Sequence, residues 1–170
     1  ALDAAFRRVV DATFNSVSVD TDTSTSDTAI ILASGAAGPV DPDSFEAALH
    51  EVALSLTKQV ARDGEGATKL IEVCVDGARD HRQAKKVAKA IVNSPLVKTA
   101  VHGADPNWGR VAMAVGKCSQ YDDLDPERIR IAFGDTVVYD GADLGEGVLA
   151  AVTAHMKGDE VVIAVDLRCG

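Results

Sequence analysis

The chain has 170 residues, 46% hydrophobic and 25% charged, an ordinary globular mix long enough to bury a sizeable core. A formal net charge of −9 argues against a nucleic-acid partner, which needs clustered Lys and Arg. No apolar run approaches the roughly 20 residues of a membrane helix and the opening ALDAAFRRVV is amphipathic rather than a signal peptide, so no membrane partner and a cytoplasmic location are expected.

In chain order, Leu2, Phe6, Val9 and Val10 share one face of a predicted helix over residues 3–13. FNSVSVD alternates apolar and polar residues like a half-buried strand, and after the polar TDTSTSD the continuous run TAIILASG reads as a buried strand. The two are expected to pair as a hairpin. GAAGPVDPDS is a linker, after which Asp43 or Ser44 caps a helix with Phe45, Leu49, Val52, Ala53 and Leu56 along its stripe. ARDGEGATK is a glycine-containing loop leading into the strand KLIEVCVDG. A helix over residues 80–93 follows, then NSPLVKTAVHG as a strand and NWGRVAMAVGK as a helix. In that first helix Lys85, Lys86 and Lys89 recur at the spacing of a solvated face.

Asp125 and Pro126 open a turn before RIRIAFG and TVVYDG, two strands joined by a Gly-Asp turn. A helix around 145–156 and a strand over 160–167 end the run. Strands alternating with helices predict an α/β fold, and the hairpins predict a layered mixed sheet rather than a parallel one. Either two lobes are expected, residues 1–118 with the DGEGATK loop and a smaller one over 119–170, or a single domain over both. Aromatics are only 4%, so the core should rest on Ala and Val. Both ends read as interrupted elements, which is compatible with a piece of a longer chain.

Three stretches could carry chemistry. The hydroxyl-rich loop from Asp20 to Thr28 lacks the glycine and glutamate of a calcium loop, and tight-turn hydrogen bonding is its simpler explanation. In DGEGATK, Glu65 stands between Gly64 and Gly66; glycines permit unusual dihedrals and close approach of a ligand, and a carboxylate so held can receive an ammonium group or shuttle a proton. Gly-Glu-Gly also occurs in plain surface turns, and the loop is not a phosphate-binding GxxxxGK[ST]. HGADPNWGR carries the single Trp108 with Asn107 and Arg110 at an expected strand-to-helix junction, capped by Asp105 or Asn107. His102 there reads as a packed histidine. Cys74, Cys118 and Cys169 are odd in number with no CxxC spacing, which disfavours a zinc site and a disulfide framework.

Taken together, SVSVDTDTSTSDTAIILASG, ARDGEGATKLIEVCVDGA and AKAIVNSPLVKTAVHGADPNWGR resemble, in this order, the β-chain of the ornithine acetyltransferases (glutamate N-acetyltransferases). The resemblance implies a part of an N-terminal-nucleophile fold, aminopeptidase/ornithine acetyltransferase-like. It implies a precursor that cleaves itself before a threonine, which then carries acetyl from N-acetylornithine to glutamate, releasing ornithine, with no cofactor or metal. The partners implied are an α-chain from the same precursor, supplying the oxyanion hole, in an α2β2 heterotetramer. Of the family's site residues only Glu65 has a match here, as the catalytic and substrate-binding carboxylate. The nucleophile is expected upstream of Ala1, and further substrate-binding residues beyond Gly170. The family loop usually runs DGDTSTND, where this chain has Thr21 and Ser26, and the family includes relatives in clavam biosynthetic clusters as well as arginine-pathway enzymes. An N-terminal-nucleophile amidase or aminopeptidase, or an assembly module without chemistry, are the alternatives.

Overall fold

The helical face expected at the start of the chain forms as α1 (Leu2–Ala12), which buries Ala5 and Val9. The computed structural model describes residues 2–118 and 124–169. They divide into two compact units, residues 1–65 and 66–170.

In the first unit α1 ends where the buried Thr13 turns its hydroxyl back onto the Val9 carbonyl at 2.7 Å, and a short 3-10 turn, Phe14–Ser16, follows. The expected hairpin does not form: residues 17–41 contain no strand. A strand needs a neighbour for its N–H and C=O groups, and no described segment supplies one. Ile30 and Leu32, expected to be buried, are 75% and 90% exposed.

Helix α2 (Pro42–Arg62) starts one cap earlier than the sequence suggested. Asp41, not Asp43 or Ser44, is the N-cap, its carboxylate accepting from the Ser44 N–H at 2.9 Å and the Ser44 hydroxyl at 2.7 Å, with Pro42 at the first helical position. Ala53 and Thr57 are buried, while Val52 and Leu56 of the expected stripe are exposed, as is Val60 one turn further on. Arg8 of α1 pairs with Glu46 of α2.

The second unit is a four-stranded sheet in the order β1-β4-β2-β3, with β1 (Leu70–Asp76) parallel to β4 (Glu160–Asp166). β2 (Arg130–Phe133) runs antiparallel to β4 and to β3 (Thr136–Asp140). The mixed sheet is as expected, and so is the Gly-Asp turn, where Gly134 takes φ +53° between Phe133 and Thr136. The expected lobe boundary at 118/119 is replaced by one at 65/66. The reason is the sheet itself: β1 lies before the expected boundary and its partner β4 after it.

Register places Ile71, Val73 and Val75 of β1 beside Val161, Ile163 and Val165 of β4, with Ile131 and Phe133 of β2 next in line. This face joins one core cluster with residues of α3 (His81–Val92), α5 (Trp108–Gly116) and α6 (Leu149–Met156), among them Val87, Ile91, Val115, Val152 and Met156. Side chains alternate across a strand, so one register satisfies the whole face.

The stretch NSPLVKTAVHG is a helix, α4 (Pro95–His102), and not a strand. Its valines favour extended chain, but Ser94 caps the first turn, Pro95 occupies the first helical position, and Val97, Ala100 and Val101 bury at helical spacing. Gly77, just past β1, cannot be replaced without strain. It holds φ +62°, and a Cβ there would stand 2.7 Å from the Arg168 backbone nitrogen and 2.1 Å from an Asp166 carboxylate oxygen.

The cap on α2 generates a pH test. The Ser44 hydroxyl, and after it the Ser44 N–H, hold the Asp41 carboxyl below its usual range. A depressed folded pKa gives stabilisation that is complete above the unfolded value, about 3.9, and lost as pH falls through the folded one. Amide exchange in the first turn of α2 should therefore rise on acidification below about pH 4. Asp41→Asn should abolish that rise while keeping the cap at neutral pH, and an identical acid response in Asp41→Asn would assign it to another group.

Candidate functional site

The DGEGATK loop starts where α2 stops, with the Asp63 N–H still bonded to the Gln59 carbonyl at 3.0 Å. A Cβ on Gly64 would meet a Val19 methyl at 3.0 Å, so this glycine allows a close approach within the first unit. Gly66 takes φ +71° with open space where its Cβ would be. Glu65 lies between them as the last residue of the first unit. Its side chain is exposed, and its carboxylate has no hydrogen bond or ion pair among the described residues. It is therefore available to a ligand. Its nearest downstream cation in sequence, Lys69, is committed elsewhere, donating to the Met156 carbonyl.

Downstream of Glu65 the loop is tied to the second unit. Thr68 Oγ1 lies 3.1 Å from His102 Nδ1, and the Leu70 N–H donates to the Asp159 carbonyl at 2.8 Å as β1 begins. His102 is thus exposed and bonded to the loop, not packed in the core as its sequence context suggested. No local signal could have shown this, because Thr68 and His102 are 34 positions apart.

HGADPNWGR forms a brace between α4 and α5, a helix-to-helix junction rather than strand-to-helix. Arg110 donates to the Leu96 carbonyl at 3.0 Å and stands 3.9 Å from Asp105. Asn107 holds the cap position of α5 without a capping side-chain bond, its amide lying 3.5 Å from Asp105 instead. Ala104, a non-glycine residue at φ +52°, makes the bend. Trp108 stacks on Tyr139 of β3 with centroids 5.0 Å apart and packs half-buried against the core.

In the Asp20–Thr28 segment the side chains of Asp20, Ser24 and Thr28 bond to the local backbone, Thr28 Oγ1 donating to the Ser26 carbonyl at 3.2 Å. Asp20 accepts from the Asp22 N–H at 2.9 Å, and Ser24 Oγ from the Ser26 N–H at 3.1 Å. Among the described residues no cluster of His, Cys, Asp and Glu could hold a metal, and no helix is long and apolar enough to cross a membrane. Cys118 is buried, and Cys74 and Cys169 form no disulfide. Among the described residues of these stretches, Glu65 is the open carboxylate that is set between two glycines.

The ArgJ family model matches residues 1–170. "Glutamate N-acetyltransferase Oat2" of Streptomyces clavuligerus is 62% identical over 169 residues, 97% of this chain and 43% of the relative. "Arginine biosynthesis bifunctional protein ArgJ" of Rhodococcoides fascians is 56% identical over 170 residues, 99% of this chain and 42% of the relative. The chain thus spans less than half the length of these curated relatives. A crystal structure titled as arginine biosynthesis bifunctional protein argJ from Bacillus halodurans superposes with a TM-score of 0.92 at 43% identity, covering 99% of this chain and 82% of that one.

The brace around Trp108 is structural, and its loss should appear as instability. Trp108→Ala removes a half-buried indole and its stacking partner's contact, which should cost about 3 kcal/mol and lower the melting temperature by several degrees. A Trp108→Ala protein with unchanged melting temperature would show that the ring's role lies elsewhere.

Proposed function

The chain belongs to the ArgJ family, and from that membership we propose that it works as the β-chain part of a self-cleaved glutamate N-acetyltransferase. In this reading acetyl passes from N-acetylornithine to glutamate. A threonine hydroxyl upstream of Ala1, activated by its own amine, attacks the acetyl carbonyl and expels ornithine. The glutamate amine then attacks the acetyl ester and frees the hydroxyl. Oxyanion donors come from an α-chain of the same precursor in an α2β2 assembly, working in the cytoplasm. The high identity to the Streptomyces clavuligerus relative is compatible with a place beside clavam biosynthesis.

The observation that carries the reading within this chain is Glu65. An amino acid arrives as an ammonium ion and must lose a proton before its nitrogen can attack. An exposed carboxylate between two glycines, with no protein partner among the described residues, can bind that ammonium and accept its proton. A hydrolase that passed acetyl to water would have no use for such a group.

The test is Glu65→Gln in the full-length enzyme, with self-cleavage, melting temperature and transfer rate followed together. Removing one charged partner of an ionic hydrogen bond should lower kcat/KM roughly 30- to 150-fold. Cleavage should remain complete and the melting temperature unchanged within a degree or two, as for other surface substitutions. The 170-residue chain alone should not turn over. Unchanged transfer in the Glu65→Gln enzyme would remove Glu65 from the site, and turnover by the isolated chain would place the nucleophile inside it.

A further inference from the structure

We propose that the cleft between α1 and α2 is a binding site for a free α-amino acid. The cleft lies wholly within the first unit, and the inference does not depend on the reading of Glu65.

Two facing helix stripes form it. On α2, Asp43, Glu46, Ala47 and His50 recur at intervals of three and four, which brings them to one side of the helix. On α1, Arg8 and Ala12 are one turn apart and line the opposite wall. The cleft holds about 610 Å³, the size of a small-molecule site. Ala12 and Ala47 are exposed, and their small side chains leave it open.

One ion pair organises its chemistry. Arg8 Nε donates to Glu46 Oε1 at 2.8 Å and Arg8 Nη2 to Glu46 Oε2, a bidentate pair that fixes the plane of the guanidinium. Arg8 Nη1 has no hydrogen bond among the described residues, and the side chain is 62% exposed. Asp43 stands one turn before Glu46, a spacing that sets their Cβ atoms about 5–6 Å apart. Neither Asp43 nor His50 has a hydrogen bond or ion pair among the described residues. A donor of fixed direction and an open carboxylate therefore flank the same glutamate.

This arrangement selects a zwitterion. A plain carboxylate would meet Arg8 but be repelled by Asp43 and Glu46, and a plain ammonium would meet Asp43 but be repelled by Arg8. An α-amino acid carries both charges on one carbon. Its carboxylate accepts from Arg8 Nη1, its ammonium donates to Asp43, and its side chain lies over Ala12 and Ala47. His50, one turn beyond Glu46, can donate to or accept from a polar side-chain end.

The experiment is a calorimetric titration of the full-length enzyme with L-norvaline, beside n-butylamine, which lacks its carboxylate, and valerate, which lacks its ammonium. Norvaline should bind with a Kd of about 1 mM, and the other two at least about 10-fold more weakly. Asp43→Asn should weaken this binding event at least about 10-fold, and Ala47→Leu, which fills the cleft, should remove it. Both variants should keep complete self-cleavage and the melting temperature and transfer rate of the parent. Absence of norvaline binding in the parent, equal binding in the parent and both variants, or butylamine or valerate binding as tightly as norvaline would each overturn the proposal. The acetyltransfer reading is tested separately by Glu65→Gln, so failure of one leaves the other standing.

Discussion

The parallel pairing of β1 with β4 is the constraint on which the second unit depends. It joins residues 90 positions apart in sequence, Leu70 to Glu160 through Asp76 to Asp166, and a register error of one residue would turn Ile71, Val73 and Val75 away from the core. Parallel neighbours cannot be linked by a tight turn, so everything between them has to form the crossover: α3, α4, α5, the β2–β3 hairpin and α6. The same pairing sets where the functional loop ends. The Leu70 N–H meets the Asp159 carbonyl at the mouth of the two strands, and the loop that carries Glu65 can be mobile only upstream of that point.

That arrangement separates rigidity from reactivity. The core is built of small aliphatic side chains packed between one sheet face and its helices, and among the described residues Phe133 is its only fully buried aromatic ring. The open carboxylate lies outside this packing, where water and a small ligand can both reach it. Desolvating a free carboxylate in the core would be costly without a partner, so an exposed loop with glycine freedom is the inexpensive place to keep one ready.

What could be read from the sequence follows the range of the forces involved. α1, α3, α5, α6 and all four strands of the second unit have local apolar periodicities that match their burial, and these were legible. α4 was not, because Val97 and Val101 suit a strand as well as a helix, and the deciding signal was the cap Ser94-Pro95. The two strands expected between Phe14 and Gly35 failed for another reason: their pattern was right for sheet, but sheet is a property of two segments. Glu65 stood out by its glycine neighbours and by family resemblance, whereas the Thr68–His102 contact depends on tertiary placement, which no local pattern reports.

The exposed run TAIILAS at residues 28–34 has a consequence for handling the protein. It is uncharged and free of proline, rich in β-branched residues, and carries Ile30 and Leu32 at 75% and 90% exposure. Such a segment is a template for intermolecular cross-β stacking. The purified chain should accordingly be limited by colloidal behaviour before thermal unfolding, with particle growth that steepens with concentration. A single lysine in place of Leu32 would act as a gatekeeper against that growth.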